Sequence, residues 1–228
     1  MTIAALTLAA VEATAQLSSH LPEDTSTAYT DTTSIPGIYI SLDGPNAFAN
    51  GSRVIAAGTR VRFFRKDDAN SSFNIEYRID QAVPVRYSAP FTIGESGSHT
   101  ITYRQADTEQ KPLESSISLV VDSSGPTITA SVIYKSITLR KYQFEKTANQ
   151  KRKKNIEVPV GSEIHVVAKD NFFVVERAFL KENNASLKIL DGAIELRARG
   201  RHEYIIVACD LVGNCTESAP IEVEIIEP

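Results

Sequence analysis

The sequence predicts an all-β chain of two tandem antiparallel β-sandwiches, and three observations lead there. The first is alternation. His99 to Tyr103 and Ile221-Glu-Val-Glu-Ile225 place apolar residues at every second position, which puts them on one face of a strand. The second is punctuation. Asp43-Gly44-Pro45, Asn50-Gly51, Gly94 to Gly97, Asp191-Gly192 and Gly213-Asn214 separate the runs with residues that favour turns. The third is an internal repeat. With a shift of 103 residues, Gly58 falls on Gly161, Val61 on Ile164, Phe63 on Val166 and Asp67 on Asp170. Under the same shift Gly97 meets Gly200, His99 meets His202, Ile101 meets Tyr204, Tyr103 meets Ile206 and Asp107 meets Asp210. One added residue then brings Ile117, Leu119 and Val121 onto Ile221, Val223 and Ile225. Self-similarity of this kind marks duplicated structural units.

In chain order, the start comes first. Residues 1–15 read as a signal peptide, with an apolar stretch and Ala13-Thr14-Ala15 before Gln16, although no basic segment precedes it. The alternative is a short Ala-rich helix or a disordered tail. Residues 16–35 are rich in Ser, Thr and Asp and read as a flexible leader. Residues 36–125 form the first repeat. Asp122-Ser-Ser-Gly-Pro126 is a polar break, and residues 126–228 form the second repeat. Each has about seven short strands, the number a sandwich of about 100 residues needs.

The repeats differ most near their beginnings. Ile38 and Gly58 are 20 residues apart, whereas Ile128 and Gly161 are 33 apart. The surplus falls in a basic insertion, residues 140–155. Between Lys135 and Lys154 there are eight Lys or Arg and one acid, Glu145. Arg140, Lys141, Tyr142, Lys151, Arg152, Lys153 and Lys154 are the candidate binding residues, since clustered cations with an aromatic neighbour suit an anionic partner. The competing reading is a solvated loop.

Cys209 and Cys215 flank the turn Asp210-Leu-Val-Gly-Asn214. Strands leaving such a turn bring their Cβ atoms together, so a disulfide is expected, with two free thiols as the alternative. A disulfide suits an oxidising compartment. The spacing matches no zinc or redox motif, and no metal or cofactor is expected. Calcium would need six or more oxygens, and Asp67, Asp107, Asp170 and Asp210 read as turn caps instead. His20, His99, His165 and His202 fall in no catalytic pattern, and no nucleophile, zinc-protease or phosphate-loop motif is present, so the chain is expected not to be an enzyme. No apolar run reaches the roughly 20 residues of a membrane-spanning helix.

Tyr77 to Asp80, Tyr87 to Ile93 with Pro90-Phe91, Glu95 to Tyr103, Ala106-Asp107 and Val121-Asp122 before Pro126 together resemble a bacterial immunoglobulin-like repeat. The type occurs in spirochaete outer-surface proteins and is similar to accessory modules of chitobiase-like enzymes. The second repeat keeps Gly200-x-His202, Ala208-x-Asp210 and Gly213-Asn214 but lacks the Pro-Phe pair. The resemblance implies immunoglobulin-like sandwiches that space, display or bind. Export and the basic insertion then suggest a non-catalytic binding or display protein of the bacterial envelope, periplasmic or at the cell surface. Its partner would be an envelope or host-surface protein or a polyanion, and not nucleic acid. A structural spacer or assembly subunit, and a carbohydrate-binding accessory module, are the alternatives.

Overall fold

The computed structural model describes Ile35, residues 38–65, 74–106, 113–144 and 155–172, Val175 and residues 177–228. All its regular elements are strands. In the first repeat these are β1 (Tyr39–Asp43), β2 (Asn46–Ala49), β3 (Ser52–Ala56), β4 (Arg60–Phe64), β5 (Ile75–Ile79), β6 (Val85–Arg86), β7 (Phe91–Thr92), β8 (Gly97–Gln105) and β9 (Glu114–Asp122). One sheet has the order β1-β4-β7 and the other β2-β3-β9-β8-β5-β6. Alternation decides what is buried. Val61 and Phe63 of β4 point inward between exposed Arg60 and Arg62, and Ile101 and Tyr103 do the same on β8. Asn50 and Gly51 both have positive φ and close the hairpin from β2 to β3.

The second repeat contains β10 (Thr127–Tyr134), β11 (Ile137–Phe144), β12 (Ile156–Pro159), β13 (Ser162–Lys169), β14 (Arg177–Glu182), β15 (Lys188–Ile189), β16 (Ile194–Leu196), β17 (Gly200–Cys209), β18 (Cys215–Glu217) and β19 (Ile221–Ile226). Its sheets have the orders β11-β10-β13-β16 and β12-β19-β17-β14-β15, with β18 also pairing β17. The core between them is mostly aliphatic, with Tyr142 and Tyr204. Ile128, Val132, Ile164 and Leu196 come from one sheet, and Val158, Ile206, Ala208 and Val223 from the other. Burying such a side chain contributes about 1.5–3 kcal/mol.

The repeat read from the sequence is also a repeat of pairing. Val61 pairs with Phe91, and Ile164 with Ile194. Tyr77 pairs with Val85, and Leu180 with Lys188. Both repeats contain one parallel pair in an otherwise antiparallel pattern: β3 runs along β9, with Ile55 beside Val121, and β12 runs along β19, with Val158 beside Ile225. Gly58 and Gly161 follow β3 and β12 at positive φ, where a side chain would be strained.

Nine and ten strands are described, more than the expected seven, because several two- and three-residue pairings carry no alternation to read. The chain separates into two compact units. Of the described residues, one takes in those of Gly58–Ile93 and Thr100–Ser118 with those up to Ala47, and the other takes in those of Phe48–Ala57, Gly94–His99 and Leu119–Pro228.

Candidate interaction surface

Strands β10 and β11 form a ribbon that turns through Lys135 and Ser136, both at positive φ, with Tyr134 and Ile137 as opposed partners. This is a two-residue hairpin whose twist matches the strands. The register slips after Val132, leaving Leu139 as the extra residue of a bulge. Beyond it, Arg140 faces Val132, Lys141 faces Ser131, and Tyr142 faces Ala130.

Among the predicted binding residues, Arg140 and Lys141 lie together on β11. Lys141 is exposed and Arg140 half-buried. Tyr142 requires a correction, because its inward position leaves it 2% exposed in the core, so its ring is not offered to a partner. That burial raises its hydroxyl pKa, opposed in part by Arg140. Lys151, Arg152, Lys153 and Lys154 lie outside the described residues. Sequence reasoning missed the apolar part of this surface: Ile137 is 65% exposed and Leu139 42%. Several arginines elsewhere are matched with acids. Arg78 donates to Glu114 at 3.1 Å, Arg104 to Glu76 at 2.7 Å, Arg197 to Glu195 at 2.6 Å and Arg201 to Glu224 at 2.8 Å. Arg140 and Lys141 have no ion pair among the described residues.

The expected disulfide is formed. Cys209 and Cys215 are opposed across β17 and β18, with Cα atoms 4.1 Å apart. Within the enclosed turn Asp210 accepts hydrogen bonds from the backbone amides of Val212 and Asn214, at 2.9 and 2.8 Å, and from the Asn214 side chain at 2.7 Å. Asn214 also donates to the Asp122 carbonyl at 3.2 Å. Gly125 passes so close to β18 that a Cβ there would lie 2.7 Å from Thr216 Oγ1 and 2.8 Å from the Cys215 carbonyl carbon. Asp122, Asp170 and Asp210 thus converge, with carboxylate oxygens within 4.8 Å of one another. Among the described residues they are the group of acids that could hold a cation. Burial first, and the Asp122 charge in addition, push the Asp210 carboxyl upward against its hydrogen bonds to Asn214 and Val212.

The histidines share a position in the repeat but not a task. His99 Nε2 lies 2.9 Å from the Glu95 carbonyl oxygen. His202 Nδ1 lies 3.1 Å from Glu182 Oε1, to which the Tyr204 hydroxyl also donates. Burial and then Glu182 raise the Tyr204 pKa. A cleft of about 340 Å³ beside His202 is lined by Asn155, Asn183, Arg201, Glu203, Glu222 and Val223. Two of its lining residues, Glu203 and Glu222, are opposed partners across β17 and β19.

No protein-family model and no curated protein matches the sequence. Among solved structures the chain is similar to one described as Clostridium thermocellum CbhA fibronectin(III)-like modules, at 15% identity and a TM-score of 0.38, covering 82% of this chain and 93% of that one.

Proposed function

We propose that the chain is a non-catalytic binding or display protein, exported to the bacterial envelope, that contacts a protein or polyanionic partner through the basic side of its second repeat. The observation that carries this reading is the pair of consecutive cations, Arg140 and Lys141, with no ion pair among the described residues, beside exposed Ile137 and Leu139 on one strand. Two cations beside two exposed apolar side chains offer a partner charge and apolar contact on one strand. The disulfide supports an oxidising location. The immunoglobulin-like resemblance supports a role in contact rather than chemistry, since such scaffolds carry function in grafted surfaces.

Solid-phase binding to heparin, matrix proteins and isolated envelope tests the proposal. Binding should weaken as salt rises, because it is driven by exposed charge. It should fall further when Arg140, Lys141 and Lys151 to Lys154 are made neutral. Binding that ignores both salt and these replacements would remove the basic surface from the account.

A further inference from the structure

We propose that the acidic outer face of the sheet β12-β19-β17-β14-β15 is a docking surface for the basic β10–β11 ribbon of a second copy of this chain, so that copies join head to tail. The inference rests on the contact role given to Arg140 and Lys141, and it adds the surface that receives them. Alternation builds the acidic face. On β19, Glu222 and Glu224 lie between buried Ile221, Val223 and Ile225, so both point outward. Register brings Glu203 of β17 opposite Glu222, and it places Arg201 of β17 and Glu157 of β12 on either side of Glu224. Four glutamates and one arginine therefore share one face of three adjacent strands.

These charges do not balance within the face. Arg201 donates to Glu224 at 2.8 Å. Glu157 and Glu203 have no ion pair among the described residues. Like charges directly opposite on antiparallel strands are destabilising, and Glu203 and Glu222 are such a pair. A cation from outside relieves that repulsion. The cleft of about 340 Å³ is lined by both, so a lysine or arginine side chain entering it meets two carboxylates. On β5, β8 and β9 of the first repeat, by contrast, acids are matched within the sheet, Glu76 with Arg104 and Glu114 with Arg78.

Charge selects the occupant. From Thr127 to Phe144 the ribbon has Lys135, Arg140 and Lys141 and no acid. Three cations on one ribbon thus match a face with a surplus of three acids, four glutamates less one arginine. The ribbon and the acidic face belong to different sheets of one sandwich. An outer face points away from the opposite sheet, so these glutamates are presented to another molecule and not to the ribbon of their own chain. The two surfaces are unlike, so the contact is heterologous. It leaves a ribbon at one end and an acidic face at the other, which lets copies add in a row.

The test follows the mass of the full chain by analytical ultracentrifugation at about 0.01 M and about 1 M salt, where charges are screened over about 30 Å and about 3 Å. Mass should rise with protein concentration at the lower salt and return to that of one chain at the higher. Glu203→Gln/Glu222→Gln and Arg140→Gln/Lys141→Gln should each weaken association by about tenfold or more. Each variant keeps one of the two surfaces intact, so an equal mixture should form a one-to-one complex with the affinity of the native contact and grow no further. A variant that had failed to fold could not do this. Association that ignores salt, a variant that associates like the native chain, or a mixture that forms no complex overturns the docking. A native chain that stays single at every concentration also overturns it, and binding to heparin or isolated envelope in that case leaves the contact role of the basic ribbon standing. Absence of both counts against both.

Discussion

The two repeats share pairing and register but not the material of their interiors. In the first, Phe63 lies among Tyr77, Tyr87, Phe91 and Tyr103, with ring centroids 5.1 to 6.2 Å from its own, and Tyr77 stacks on Phe91 at 4.2 Å. The equivalent positions in the second repeat are Val166, Leu180, Leu190, Ile194 and Ile206, every one aliphatic, with Ile206 in its core and the others packed against it. The second repeat instead has the disulfide, the turn bound to Asp122 and the added strand β11. At these equivalent positions the same sheet topology is thus held by a cluster of rings in one case and by aliphatic side chains in the other, which also has a covalent staple and the core rings Tyr142 and Tyr204. Topology in this chain depends on where apolar residues alternate, and less on which ones they are.

Breaking the ring cluster should have the largest effect. Phe63→Ala removes the ring at its centre and should cost about 3–5 kcal/mol. Residue-resolved hydrogen exchange in urea would show this as early opening of β8. Val166→Ala, its counterpart, should cost distinctly less, because Val166 is only partly buried and loses less volume. Equal costs at the two sites would mean that the rings hold nothing particular together.

Removing the staple comes next. Cys209→Ala/Cys215→Ala opens a short loop and should lower stability by about 2 kcal/mol. The loss should appear in β17 and β18, and exchange of β8 should be unchanged. A matching loss in β8 would show that the repeats do not partition stability as their interiors suggest.

The smallest effect concerns pH. The folded Asp210 carboxyl is held above its ordinary value, so folding favours its protonated form. Its contribution is most favourable below the unfolded value and declines as pH rises through the elevated folded one. Acidification from neutral should therefore slightly stabilise β17 and β18, until carboxylates held low, such as Glu195 beside Arg197, are protonated and reverse the trend. Asp122→Asn should shrink the gain, since the Asp122 charge is one of the influences raising Asp210. Melting curves from pH 7 downward, for both proteins, would decide it.

Much of this architecture was legible beforehand, and the gaps have physical causes. Period-two alternation and the glycines at positions 58, 97, 161 and 200, all of positive φ, gave away the strands and the duplication. The β10–β11 hairpin was hidden because its turn uses Lys135 and Ser136 in a conformation usually signalled by Asn or Gly. The basic stretch therefore read as a loop from Arg140 onward, when its first five residues continue a strand. Tyr142 looked available because the bulge at Leu139 conceals which face it takes. Asp170 and Asp210 were correctly read as accepting turn amides. Their approach to Asp122 depends on a residue far away in the chain, which local pattern does not reveal.

The parallel pairs also set an order of assembly. Val158 meets Ile225, and Ile55 meets Val121, so each union must wait until more than half a repeat has been synthesised between the partners. Such distant closures are slow. The β10–β11 ribbon closes through two residues and can form while β19 is still to come. On the ribosome, the surface strand would be in place before the interior behind it is sealed.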